Sequence, residues 1–127
     1  MKRIESTQNA MIKELAKLHR KKERDRQNRY LIEGEHMLQE AAQAGALQEI
    51  FFLEGEPLPD FADRHMAVEC IAPVLNRLSL LDSGARLIGV ASLPDQKLPE
   101  KPDRVLLLDG VQDPGNLGTL IRSAVGF

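Results

Sequence analysis

The residues of this chain that could do chemistry by their type and spacing lie between positions 109 and 124. The apolar run 104–109 is typical of a buried central strand, and a loop rich in glycine and proline separates it from apolar residues at helical spacing. Asn116 is placed to cap that helix, and Arg122 follows six residues later. Both side chains could therefore face one side at the carboxyl end of the strand, where α/β proteins usually bind ligands. The same spacing also fits a capped helix whose arginine lies in solvent.

The loop 110–118 matches neither of the common phosphate-binding patterns. It lacks the Lys-Ser/Thr ending of the P-loop and the glycine pattern of dinucleotide-binding folds. The helix start that follows it could still hold an anion through its backbone amides and its dipole. A small nucleotide-binding protein that uses this loop is therefore one hypothesis for the chain.

Charge is distributed unevenly along the sequence. Residues 1–29 contain ten Lys or Arg and four Asp or Glu, whereas residues 30–127 contain seven and fifteen. A basic segment on an acidic body suggests a polyanion partner, because phosphates attract clustered cations and release counterions on binding. A merely solvated charge run would have the same pattern. The candidate RNA contacts are Lys13, Lys17, Arg20, Lys21, Lys22, Arg24, Arg26 and Arg29.

The cysteine and histidine residues predict no metal site. Cys70 is the one cysteine, and His19, His36 and His65 have no ligand spacing among themselves or with it. The alternating stretch 65–71 predicts Cys70 as a small buried strand residue. A lone cysteine excludes an internal disulfide and suits a reducing cytoplasm. No apolar run approaches the roughly 20 residues of a membrane helix, and the charged amino terminus is not a signal peptide.

Short apolar segments at 30–33, 49–53, 65–71 and 86–91 predict strands, with helical patterns between them. This alternation indicates an α/β fold with a largely parallel sheet.

Ahead of these segments, Ser6 or Thr7 can cap a helix that continues into the charged stretch 19–26. The apolar stripe of this helix is Met11, Ile12, Leu15 and Leu18. We therefore expect a basic helical arm over 1–29, a domain over 30–92, a proline-containing linker over 93–103 and the start of a second domain over 104–127.

Two stretches of the chain resemble one protein family. Residues 113–118 (Asp-Pro-Gly-Asn-Leu-Gly), followed by 122–124 (Arg-Ser-Ala), resemble the first signature motif of the SpoU/TrmH family of RNA ribose methyltransferases. Residues 30–41 resemble the start of that family's amino-terminal substrate-binding domain, and residues 78–91 resemble its end. The likeness covers most of the chain in the expected order and is weakest over residues 45–75.

The resemblance implies a small α/β/α sandwich, similar to some ribosomal proteins, that binds structured ribosomal or transfer RNA. A knotted α/β domain that binds S-adenosylmethionine and usually dimerises would follow it. Arg122 would then act on the target ribose, and Asn116 would shape the site beside it. A guanidinium rarely gives up its proton, so positioning and charge stabilisation suit Arg122 better than general base catalysis.

The family's second and third motifs are absent from these 127 residues. We therefore expect a truncated methyltransferase that binds RNA, holds no cofactor by itself and is inactive alone, while the intact parent forms a homodimer through its carboxyl-terminal domain. The alternative is a freestanding RNA-binding module without catalysis.

Overall fold

The computed structural model describes residues 1–81 and 84–94, together with the single positions Leu107, Gly118, Ile121 and Ser123. The chain divides into two compact units, Met1–Asp95 and Gln96–Phe127. Gly118, Ile121 and Ser123 are helical. The catalytic candidates Asn116 and Arg122, most of the expected linker and nearly all of the strand over 104–109 lie outside the described residues.

Five strands and four helices make up the described part of the first unit. The strands are β1 (Lys2–Ile4), β2 (Arg29–Glu33), β3 (Leu47–Leu53), β4 (Ala67–Cys70) and β5 (Leu87–Ser92). The helices are α1 (Ala10–Ala16), α2 (Lys21–Gln27), α3 (Glu35–Gln43) and α4 (Ala72–Leu78), and short 3₁₀ segments cover Lys17–His19 and Arg64–Met66. The unit is therefore a mixed α/β fold.

The strands form one sheet in the order β1-β4-β3-β5-β2. β4 pairs in parallel with β1 and β3, whereas β5 pairs antiparallel with both β3 and β2. The expectation of a largely parallel sheet holds for the direction of four strands and is wrong for β5. The reason lies in α4, which begins after the carboxyl end of β4 and ends where Ser79 Oγ donates to the Glu33 carboxylate at the carboxyl end of β2. The next strand starts at that same end and must run the opposite way.

Two separate apolar clusters cover the two faces of the sheet. One face packs against α1 and α4, and Phe51, Val68 and Ile88 point into this cluster. The other face packs against α3 and the loop that follows β3, with Leu38 of α3 completely buried against Ile50. The first unit is thus a three-layer structure with helices on both sides of the sheet.

The amino-terminal residues belong to this core and form no separate arm. Ile12, Leu15 and Leu18 are 0%, 0% and 2% exposed, so the predicted apolar stripe finds its partner in the main cluster. Ile4 in β1 pairs with Cys70 in β4. The expected boundary between residues 29 and 30 therefore does not separate two folding units, because both sides share one core.

The predicted amino-terminal helix is shorter than expected and is interrupted. The side chain of Asn9, rather than Ser6 or Thr7, caps α1 by accepting a hydrogen bond of 2.9 Å from the backbone N–H of Met11. Arg20 has extended backbone dihedrals (φ −102°, ψ 137°) and separates the 3₁₀ segment from α2. The break follows the last buried residue of the stripe, and α2 buries no residue at all.

Candidate nucleic-acid interface

The basic helical segment leads into the amino-terminal end of β2. Asn28 follows α2, and its left-handed backbone (φ 57°) turns the chain into that strand. Arg29 pairs in register with Ser92, the last residue of β5, and the N–H of Leu93 donates to the Asn28 carbonyl at 3.0 Å. The carboxyl end of α2 therefore lies at the end of the sheet where β5 finishes, whereas His19, just before α2, has its Nε2 atom 2.9 Å from the carbonyl oxygen of Leu78 at the end of α4.

The exposed lysines and arginines of both helices are those that do not pack against the sheet. α1 buries Ile12 and Leu15 against the sheet, so Lys13 remains exposed on the far side, and Lys17 just after the helix is exposed too. No residue of α2 is buried, so most of its charged side chains are exposed to solvent. The exposed cations there are Lys21, Lys22 and Arg26, and Arg20 is exposed just before the helix.

Three carboxylates hold several of these cations in ion pairs. Glu14 accepts from Lys17 at 2.9 Å and also from Arg26, which joins α1 to α2. Hydrogen bonds from Lys17 and then Arg26 lower the pKa of the Glu14 carboxyl. Glu23 pairs with Arg26 at 2.6 Å, and this bond lowers the pKa of Glu23.

The third carboxylate, Asp25, pairs with Lys21 at 2.9 Å across one helical turn. Every acidic residue between positions 9 and 29 is therefore engaged with a cation of the same segment.

Two of the predicted contact residues have intramolecular partners of another kind. The half-buried Arg24 donates through Nη1 to the carbonyls of Leu18 (3.0 Å) and His19 (3.1 Å), which the helix break leaves without helical partners. Arg29 is also half-buried and donates to the side-chain oxygen of Gln27 at 3.0 Å. Arg24 thus stabilises the break between the helices.

Lys13, Arg20 and Lys22 differ from the other candidates. All three are exposed, and none makes an ion pair or a side-chain hydrogen bond to another residue within the described parts of the chain. Their charge is therefore available to an external anion. The sequence placed them in the candidate set but could not separate them from their paired neighbours.

The end of the sheet where β1, β3 and β4 finish is acidic. There Arg3 pairs with Glu5 (2.7 Å), Glu54 (2.5 Å) and Glu69, so three carboxylates surround one guanidinium.

A groove of about 440 Å³ also lies at this end, and Glu33, Glu35 and Glu56 line it together with Arg86. Arg86 pairs with Glu56 at 3.6 Å. No motif in the sequence predicts this groove, although a glycine directly after a strand indicates a turn with positive φ, and Gly34 has φ 92°. Its carboxylates make it a poor place for phosphate.

Other sequence candidates carry no chemistry in the described structure. Cys70 is buried, as its alternating strand pattern predicted, and burial raises the pKa of its thiol to about 12. Within residues 1–81 and 84–94 no group of three or more His, Cys, Asp or Glu could hold a metal ion. None of the helices described there is long and apolar enough to span a bilayer.

Comparison with known proteins places this segment in a family. The model of the MRM3-like substrate binding domain matches residues 9–89. The 23S rRNA (guanosine(2553)-2′-O)-methyltransferase RlmP of Bacillus subtilis (strain 168) is 38% identical over 128 residues, which cover 98% of this chain and 50% of that protein. The mitochondrial rRNA methyltransferase 3 of Homo sapiens is 30% identical over 118 residues, covering 81% of this chain and 28% of that protein. The chain thus spans about half the length of the first of these relatives and less of the second.

Solved structures agree with this assignment. A crystal structure of an RNA 2′-O ribose methyltransferase is similar with a TM-score of 0.72 and 38% identity, over 98% of this chain and 52% of that one. The SpoU methyltransferase AviRb from Streptomyces viridochromogenes, solved in complex with AdoMet, has the same fold at a TM-score of 0.65 and 23% identity, over 92% of this chain and 49% of that one. The chain therefore belongs to the family of MRM3-like substrate binding domains and is homologous to the RNA 2′-O-methyltransferases of the SpoU/TrmH family.

Proposed function

We propose that this chain is the RNA-binding portion of an S-adenosylmethionine-dependent 2′-O-ribose methyltransferase that acts on structured ribosomal or transfer RNA. The observation that carries the proposal is the match of residues 9–89 to a substrate-binding domain. It is supported by a relative, 38% identical along nearly this whole chain, that methylates 23S rRNA at a ribose. The substrate of that relative favours ribosomal RNA.

The charge distribution supplies a physical basis for RNA binding. The helix α1 is anchored on the core and α2 is bonded to it, so the cations of this segment are presented from a folded surface. Phosphate contacts from such cations position an RNA without reading its sequence. The carboxylates around Arg3 would repel the same backbone, and this would restrict how RNA can approach.

The catalytic part of the proposal concerns Asn116 and Arg122. Arg122 would hold the target ribose or its phosphate and stabilise the negative charge that develops on the 2′-oxygen, and Asn116 would shape the adjoining loop. S-adenosylmethionine would supply the methyl group in the intact enzyme, which we propose to be a cytoplasmic homodimer. By itself the 127-residue chain is expected to bind RNA and to show no methyl transfer.

The test uses the complete chain and a fluorescently labelled RNA hairpin taken from ribosomal RNA. Fluorescence anisotropy at several salt concentrations is expected to show saturable binding whose log affinity falls linearly with log salt. Unlabelled RNA hairpin should compete better than a DNA hairpin of the same sequence. An absence of binding at low salt, or equal competition by DNA, would contradict the proposed function.

Charge substitution is a cleaner probe of the amino-terminal segment than its removal. A chain without residues 1–28 would also lose β1 and the buried residues Ile12, Leu15 and Leu18. Any loss of RNA binding by that chain would then reflect loss of the core.

A further inference from the structure

The eight predicted contact residues fall into two groups by what their side chains already touch. Five of them have partners within the segment: Lys17 and Arg26 on Glu14, Lys21 on Asp25, Arg24 on backbone carbonyls and Arg29 on Gln27. The other three, Lys13, Arg20 and Lys22, are exposed and have no such partner in the described parts of the chain. The structure therefore subdivides a charge run that is uniform in the sequence.

We propose that Lys13, Arg20 and Lys22 make the principal phosphate contacts of this unit, and that Glu14 lowers RNA affinity by neutralising Lys17 and, together with Glu23, Arg26. The inference rests on the proposed function and goes beyond it. It assigns the RNA contacts to particular side chains and gives a carboxylate a restraining role.

Electrostatics explains why a paired cation contributes less. A phosphate that approaches Lys21 also approaches the Asp25 carboxylate, 2.9 Å from the ammonium nitrogen, so attraction and repulsion largely cancel. A paired cation also releases fewer counterions from the RNA, because its charge is already balanced. The ion pair itself need not be strong for this argument, since only the sum of the nearby charges matters.

Glu14 is the most informative of the three carboxylates because it touches two cations on different elements. Its side chain accepts from Lys17 beside α1 and from Arg26 on α2. Gln27 Nε2 donates to the backbone carbonyl of the same residue at 3.2 Å. That backbone contact remains when the side chain changes, so Glu14→Gln should remove the charge and leave α2 packed in place.

The experiment measures the salt dependence of binding to the RNA hairpin for single variants of the complete chain. Lys13→Gln, Arg20→Gln and Lys22→Gln are each expected to reduce the slope of log affinity against log salt by about 0.7–0.9, the change for one lost phosphate contact. Lys21→Gln is the matched control on the same helix, and its slope should change by much less. Urea unfolding of each variant should verify that these exposed substitutions leave the fold intact.

The variant Glu14→Gln tests whether Glu14 lowers RNA affinity, and its expected effect on the salt slope is opposite to that of the lysine and arginine variants. The substitution frees Lys17 and leaves Arg26 paired with Glu23 alone, so it is expected to steepen the slope and to tighten binding several-fold at low salt. In the double variant Glu14→Gln/Lys17→Gln, most of that gain should disappear.

The possible outcomes distinguish the inference from the function on which it rests. If the parent chain binds RNA but Lys21→Gln flattens the slope as much as Lys22→Gln, the division into two groups is wrong. If Glu14→Gln binds RNA no more tightly than the parent, the restraining role is wrong. In both cases RNA binding itself still stands. If the parent chain shows no salt-dependent binding to RNA, the inference and the proposed function fail together.

Discussion

Among the glycines that the structure describes, Gly89, in the centre of β5, is expected to be the one whose side-chain position is most crowded when it is replaced. A Cβ atom at this position would lie 2.9 Å from Leu38 Cγ, 3.0 Å from Leu47 Cδ1 and 3.2 Å from Ile32 Cγ1. These side chains are buried and belong to three different elements, so none can move without disturbing the packing of α3 on the sheet. Glycine therefore permits the close approach of that helix.

The size of the effect follows from two opposing contributions. Overpacking a well-filled core costs about 1–3 kcal/mol. Replacing glycine by alanine restricts the unfolded chain and returns about 0.4–1 kcal/mol. Gly89→Ala should therefore lower the free energy of unfolding by about 1–2 kcal/mol, which corresponds to a fall in Tm of roughly 5–15 °C for a unit of this size.

Urea and thermal unfolding, followed by circular dichroism of the complete chain, would measure this loss. Gly84→Ala is the matched control, because a Cβ there meets nothing within 4 Å, and it should change stability by less than about 0.5 kcal/mol. Leu38→Ala alone should cost about 2–5 kcal/mol. In the double variant the new methyl group at position 89 gains space, so the combined loss should be smaller than the sum by at least about 0.5 kcal/mol. A stable Gly89→Ala chain, or strictly additive losses, would refute this account of the packing.

Three further predictions concern individual contacts. Asn9→Ala removes the cap of α1 and should lower the free energy of unfolding by about 1 kcal/mol in urea titrations. Arg24→Ala removes the charged donor to the Leu18 and His19 carbonyls and should lower the free energy of unfolding by about 1–3 kcal/mol. If Arg24 served only to contact RNA, the same substitution would leave the free energy of unfolding unchanged. Burial raises the pKa of the Cys70 thiol from 9.0 to about 12, so between these pH values only the unfolded chain ionises and stability should fall. The difference between the stability–pH curves of the parent and Cys70→Ala isolates this fall, and identical shapes would contradict it.

Local patterns in the sequence predicted most elements of the first unit correctly. The strands that became β2, β3 and β5 were predicted within two residues at each end, because each is a short apolar run between turn-forming residues. The buried stripe of α1 was predicted from helical spacing in the same way. These elements show their burial pattern within a single segment.

Features that depend on distant residues were not predicted. β1 is three residues long, too short for any periodicity, and exists because it pairs with Val68, Glu69 and Cys70 more than sixty positions away. The reversed direction of β5 depends on where α4 ends, which the contact between Ser79 and Glu33 reveals. Neither the length of a strand nor its apolar pattern specifies which way it runs.

The candidate interface also combines a local pattern, which the sequence shows, with contacts between side chains, which it does not show. The clustering of cations over residues 13–29 could be predicted because charge density is a property of the sequence. Which of these cations form ion pairs within the chain could not be predicted. Arg26 on α2 pairs with Glu14 on α1, and that contact depends on the break between the helices at Arg20. Arg24 is a candidate contact by residue type, and only the structure shows that it donates to the Leu18 and His19 carbonyls.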